Sequence, residues 1–140
     1  VSSDVEALKR LAEEGDDEAA AELARVAADL GDTETLRFLV DYGYEEGAAR
    51  LAELAAAEGD LATLRTLVDA GSDDAADALL ELAMASGDEQ TLDYLVDSGH
   101  EATADRWAVV AAERGDTDLL ERLADEGSEV AARLLRDGTA

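Results

Sequence analysis

Apolar positions recur along this chain with a period of 28 residues. One column holds Leu8, Leu36, Leu64, Leu92 and Leu120, and a second holds Leu11, Leu39, Leu67, Leu95 and Leu123. A small or β-branched position follows each: Ala12, Val40, Val68, Val96 and Ala124. Offsets of three and four residues put these side chains on one face of a helix. A second stripe carries Leu23, Leu51, Leu79, Trp107 and Leu135 with Val26, Leu54, Leu82 and Val110. Alanines flank it at positions 20, 48, 76, 104 and 132, and at 27, 55, 83 and 111. Small residues there let neighbouring helices approach near the lower end of the usual ~8–10 Å.

Glycine punctuates the stripes. Gly15, Gly43, Gly71, Gly99 and Gly127 form one column, and Gly31, Gly59, Gly87 and Gly115 another. An aspartate follows each glycine of the second set, at Asp32, Asp60, Asp88 and Asp116, and Asp4 continues that column after Ser3. Each aspartate is a good N-cap for a helix of about ten residues, such as Leu61 to Ala70, closed by a glycine. A second helix of about fourteen residues starts from caps such as Asp16, Ser72 and Ser128. Links of one or two residues make consecutive helices antiparallel neighbours. No single pair can bury its own apolar faces, so the pairs must cover one another. The pattern predicts an all-α, right-handed α-solenoid of ten short helices. It forms one domain, 1–140, in units 1–28, 29–56, 57–84, 85–112 and 113–140, with no overhang. The last unit reads as a cap: Arg136 stands where Ala24, Ala52, Leu80 and Ala108 stood, and a break is expected at Asp137-Gly138-Thr139.

The stretches "ELAMASGDEQTLDYLVDSGH" and "AELAAAEGDLATLRTLVDAGS" resemble the helix–turn–helix of ankyrin repeats, with an apolar helix, a Gly-polar turn, a Leu-rich helix and a closing glycine. The resemblance covers the helix pair in all five units. It omits the Thr-Pro-Leu-His start and the β-hairpin, and the unit is shorter than the ankyrin period of about 33. Tetratricopeptide-like and Sel1-like repeats share the same Ala/Leu/Gly grammar, so the resemblance implies architecture and no functional residue.

Composition narrows the function classes. Apolar residues make up 47 %, which excludes a disordered acidic tail, and proline is absent. Thirty-six acids face eleven bases, a formal net charge of −25, which repels nucleic acid and anionic membranes. Any partner is therefore expected to be apolar or cationic, a small molecule or a protein or peptide. No apolar run reaches the ~20 residues of a membrane span. The start, VSSDVEALKR, lacks the layout of a signal peptide. A soluble, cytoplasmic monomer is the expectation. The alphabet is narrow: no Ile, no Asn, one lysine (Lys9) and one glutamine (Gln90). Acidic chains poor in Lys and Ile resemble proteins of salt-loving microbes. The narrow alphabet, the missing proline and the even count of units resemble a designed tandem-repeat protein.

Candidate chemistry is sparse. Without cysteine and with one histidine there is no zinc site, and no calcium-loop, P-loop or dinucleotide pattern occurs. The carboxylates recur with the repeat, as caps and solvated faces do. Asp97, Ser98 and His100 are too close in sequence at a helix end to form a triad. Gly43 and Gly47 have GxxxG spacing but straddle a helix break. No catalytic residue, metal or cofactor is expected. The informative positions are those where the repeat departs from itself. One column reads Arg10, Phe38, Thr66, Tyr94, Arg122; the next reads Glu14, Tyr42, Ala70, Ser98, Glu126; the cap column reads Asp16, Tyr44, Ser72, His100, Ser128. Gly47 and Thr103 replace alanines, and Trp107 replaces a leucine. Aromatics mixed with small residues on units two to four suggest a ligand or partner surface of Phe38, Tyr42, Tyr44, Gly47, Tyr94, Ser98, His100, Thr103 and Trp107. The same residues also suit a filled seam between helices. The expected function is a non-enzymatic scaffold or binding module of designed type. The alternatives are a natural halophile-type interaction module and a closed ring with a central small-molecule pocket. Arg10, Glu14, Arg122 and Glu126 argue against an apolar lining for such a ring.

Overall fold

The computed structural model describes residues 2–138. Among them are ten α-helices and no strand: α1 (Ser2–Glu13), α2 (Asp17–Leu30), α3 (Thr33–Asp41), α4 (Glu45–Glu58), α5 (Leu61–Asp69), α6 (Asp73–Ser86), α7 (Glu89–Asp97), α8 (Glu101–Arg114), α9 (Thr117–Asp125) and α10 (Glu129–Gly138). The chain forms two compact units, Val1–Leu79 and Leu80–Ala140, whose boundary falls inside α6.

The short helices begin through a double cap that depends on a D-x-x-T spacing. The carboxylate of Asp32 accepts the Thr35 backbone N–H at 3.1 Å and the Thr35 hydroxyl at 2.6 Å. Asp60 with Thr63 and Asp88 with Thr91 repeat this geometry. All three threonines are buried, so their hydroxyls need that partner. Asp116 caps only the Leu119 N–H, because leucine stands in the threonine position. At the other end, Gly59 closes α4 at φ +69, and its N–H points back at the Ala55 and Ala56 carbonyls. A side chain in that left-handed region would cost ~1–2 kcal/mol, which accounts for glycine there.

In the first unit, α1 packs on α2, α2 on α3 and α4, α3 on α4, and α4 on α5. Leu23, Leu36, Leu39, Leu51, Leu64 and Leu67 are buried between these helices, with alanines such as Ala24, Ala27, Ala52 and Ala55. In the second unit, α7 packs on α8, α8 on α9 and α10, and α9 on α10. Leu92, Leu95, Trp107, Leu120 and Leu123 form its core. Long helices thus stack on long helices (α2 on α4, α8 on α10) while each also covers its short partner.

Five expectations change in detail. The links are two or three residues long, because cap residues lie outside the helices. The expected helix from Leu61 to Ala70 ends at Asp69, with Ala70 as its C-cap. Asp4 is not a cap: α1 starts at Ser2 and runs through it, and a cap needs the non-helical backbone that Asp4 lacks there. Leu11 was expected in the core and is 41 % exposed, while Ala12 is buried, because α1 packs chiefly on α2. At the other end, α10 passes through Asp137 and Gly138 without the expected break. It lies against both α8 and α9, with Leu134 and Leu135 half-buried. Thr139 is outside the described residues.

Candidate functional site

The residues singled out by their departure from the repeat fall into two groups, one in each compact unit. Phe38, Tyr42, Tyr44 and Gly47 belong to the first, and Tyr94, Ser98, His100, Thr103 and Trp107 to the second.

In the first unit, Phe38 on α3 and Tyr42 at its C-cap lie one turn apart. Their ring centroids are 4.8 Å apart and tilted by 46°. The Lys9 ammonium lies 5.6 Å from the Phe38 ring centre, a cation–π distance. Tyr42 is exposed, and Tyr44 is half-buried. Tyr44 donates its hydroxyl to the Ala12 carbonyl at 2.5 Å, tying the last turn of α1 to the start of α4. Burial first, then the nearby Asp17 and Asp16 carboxylates, raise the Tyr44 phenol above its ordinary pKa. The group therefore stays a donor at neutral pH.

Tyr44 and Gly47 act as a pair, as do His100 and Thr103. Where the cap column holds Asp16, Ser72 or Ser128, its side chain accepts the N–H of an alanine three residues on. Tyr44 and His100 make no such bond. The Gly47 and Thr103 N–H groups turn instead to the Tyr44 and His100 carbonyls, at 3.2 and 3.1 Å. Gly47 is buried hard against α3. Thr103 is fully buried, and its hydroxyl meets the His100 Nδ1 at 2.7 Å. These two substitutions thus have packing and hydrogen-bonding explanations within their own turns.

In the second unit, Trp107 is 2 % exposed and fills the leucine column as core. Arg122 lies over its ring at 5.1 Å and forms an ion pair with Asp93. Tyr94 is half-buried on α7, and exposed Ser98 bonds back to the Tyr94 carbonyl at 2.8 Å.

Two grooves lie on the side of the short-to-long turns, away from most of these residues. A groove of about 510 Å³ in the first unit is lined by the apolar Val40, Ala48, Leu67 and Ala70 and by the carboxylates of Glu45, Asp73 and Asp74. A groove of about 440 Å³ in the second unit uses the equivalent turns, lined by Val96 and Ala104 and by Glu101, Asp105, Glu126 and Glu129. Val40, Gly43, Glu45, Ala48, Gly71 and Ser72 in one correspond to Val96, Gly99, Glu101, Ala104, Gly127 and Ser128 in the other, each 56 residues on. His100 lines the second groove; of the predicted set it is the one residue in either groove. The Ser128 hydroxyl donates to Asp105 at 2.8 Å and holds that carboxylate at the groove.

The sequence reading passed over these turn-side linings because much of them, such as Gly43, Glu45 and Ala48, repeats from unit to unit, and only His100 among them was singled out. It also passed over Thr35, Thr63 and Thr91, although the D-x-x-T spacing was visible. Thr63 does double duty: it donates to Asp60 and accepts from the Arg37 guanidinium at 3.0 Å. These bonds lower the Asp60 carboxyl below its ordinary pKa, the Thr63 hydroxyl first, with Arg37 adding attraction. Asp32 is lowered chiefly by the Thr35 hydroxyl, with a contribution from Lys9, and partial burial opposes the shift.

No cluster of three or more His, Cys, Asp or Glu side chains suited to a metal occurs among the described residues. Among them no helix is long and apolar enough to cross a membrane. Compared with protein-family models, with curated proteins and with solved structures, the chain finds no match. Fold and site together define an all-α protein of stacked helix pairs with recurrent acidic grooves.

Proposed function

We propose that this chain is a non-enzymatic helical-repeat binding module that takes cationic peptide segments, one on the turn-side groove of each compact unit. The carrying observation is the recurrence of one groove, lined by apolar and acidic side chains, on equivalent residues of both compact units. The apolar lining suits the alkyl stem of a lysine or arginine, and the carboxylates suit its head. A net charge of −25 attracts such a partner from a distance. The helix-pair grammar is ankyrin-like without the hairpin, and the narrow, proline-free alphabet supports a designed origin.

A labelled peptide alternating arginine and alanine tests this by fluorescence anisotropy. Saturable binding that weakens steeply with salt is expected. Ala70→Tyr fills the first groove with a residue that the repeat already accepts at position 42, and Glu126→Lys reverses charge in the second. Each should weaken binding while helix content stays unchanged. Binding unaffected by both variants would refute the reading.

A further inference from the structure

We infer that the indole face of Trp107 is a guanidinium-binding site, and that Arg122 is its internal, displaceable occupant. The site is separate from the turn-side grooves. It is a shallow hollow of about 270 Å³ formed by Glu89 and Asp93 of α7, Trp107 of α8, and Asp116, Asp118, Leu119 and Arg122 at the start of and along α9. Four carboxylates line it against one guanidinium.

The chain itself shows what the hollow holds. The Arg122 guanidinium lies 5.1 Å from the Trp107 ring centre and pairs with Asp93, so one planar cation satisfies an aromatic face and a carboxylate at once. Arginine suits this double role because its flat, delocalised head stacks on a ring while its N–H groups reach a carboxylate. Arg122 is only loosely held: about half of its side chain is exposed. An exposed cation–π contact is worth about 0.5–1 kcal/mol and an exposed ion pair about 0–1 kcal/mol, so release costs little. An arginine from a partner would inherit the same two contacts. Asp116 is engaged in capping the Leu119 N–H, whereas Glu89 and Asp118 are exposed at the edge and add attraction for a second cation. Leu119 supplies a half-buried apolar wall for the incoming alkyl stem. The exchange swaps one guanidinium for another, and no bond is made or broken.

Trp107 is the one tryptophan of the chain, so intrinsic fluorescence reports on this site alone. The probe is N-acetyl-arginine amide, with N-acetyl-leucine amide and sodium chloride at matched ionic strength as controls. The arginine amide should give a saturable change in Trp107 emission that neither control gives. Arg122→Gln removes the occupant and should lower the midpoint about 2–5-fold, the equivalent of the cation–π contact removed. In that background Asp93→Asn should raise the midpoint again. Should Arg122→Gln lose helix by circular dichroism, Arg122→Lys keeps a cation with a poorer ring partner and should shift the midpoint in the same direction. A linear, salt-like response in the wild type, or a midpoint unmoved by opening the site, would overturn the inference and leave Arg122 as a fixed cover over the core.

Discussion

A Cβ placed on Gly47 would stand 2.5 Å from the Cβ of Leu39 and 3.2 Å from the Leu36 carbonyl oxygen. Glycine at this helical position is therefore a packing device: it lets α4 lie against α3 where other units carry Ala19, Ala75, Thr103 and Ala131. Gly47→Ala sets two effects against each other. Alanine favours helix by about 1 kcal/mol over glycine. The clash falls on a Cβ, which moves only with its backbone, and overpacking of this kind costs about 1–3 kcal/mol. Urea unfolding should show a net loss of stability; a gain would mean that the two helices have room to separate.

The hydroxyl of Tyr44 should matter, and that of Tyr42 should not. Tyr44→Phe removes the bond to the Ala12 carbonyl, at a cost of about 0.5–1.5 kcal/mol. Tyr42→Phe keeps the contact with Phe38 and touches only a side chain exposed to solvent. Paired denaturation curves check this, and equal midpoints would remove the tie between α1 and α4 from the account.

Gly47, Tyr44 and Thr103 illustrate how the sequence reading succeeded and where it stopped. Periodicity found the helices because apolar burial is a one-dimensional signal along a regular helix, and Leu36, Leu64, Leu92 and Leu120 are all buried. Departures from the repeat did mark special places. Their meaning, however, lay in pairs of residues: Tyr44 reaches Ala12, 32 residues away, and His100 meets Thr103 across one turn. A column-by-column reading treats each residue singly and so assigned packing substitutions to a surface. The start of α1 also escaped it: the aspartate column predicts a helix beginning after Asp4, whereas α1 begins at Ser2 and leaves Leu11 exposed. The grooves were missed because much of their lining, such as Gly43, Glu45 and Ala48, repeats from unit to unit, although Ala70, His100 and Glu126 stand in columns that vary.

The D-x-x-T caps predict a pH-dependent difference. Asp60 is held below its ordinary value of 3.8, so its contribution is present above that value and is lost as pH falls through the depressed one. Thr63→Val deletes the hydroxyl that does most of this while keeping the shape. At neutral pH the variant should be less stable by about 0.5–1.5 kcal/mol. The gap should narrow as pH falls below the ordinary value toward strongly acid solution. Thermal unfolding of both proteins across that range checks the sign, and a gap that widens toward acid would contradict it.

Salt should stabilise the fold. With −25 net charge, exposed carboxylates repel over distances that physiological salt screens to about 8 Å. The few surface ion pairs, such as Arg25 with Glu22 and Arg106 with Glu81, are lost to the same screening but are worth little. The thermal midpoint should therefore rise from about 10 mM to about 1 M sodium chloride; a flat or falling midpoint would show that repulsion is not a significant cost.

Chemical-shift mapping with the arginine–alanine peptide tests the central claim most directly. Backbone amides and alanine methyls are followed by NMR as the peptide is added. Binding on the turn-side grooves should move Gly43, Ala48, Ala70 and Gly71 in the first unit and Gly99, Ala104, Gly127 and Ser128 in the second. In the first unit the opposite turns at Gly31 and Gly59 should stay in place, whereas Gly87 and Gly115 border the Trp107 hollow and move with it. First-unit shifts spread evenly over both sets of turns, or confined to Gly31 and Gly59, would contradict a groove-binding module and reduce its carboxylates to a solvated surface.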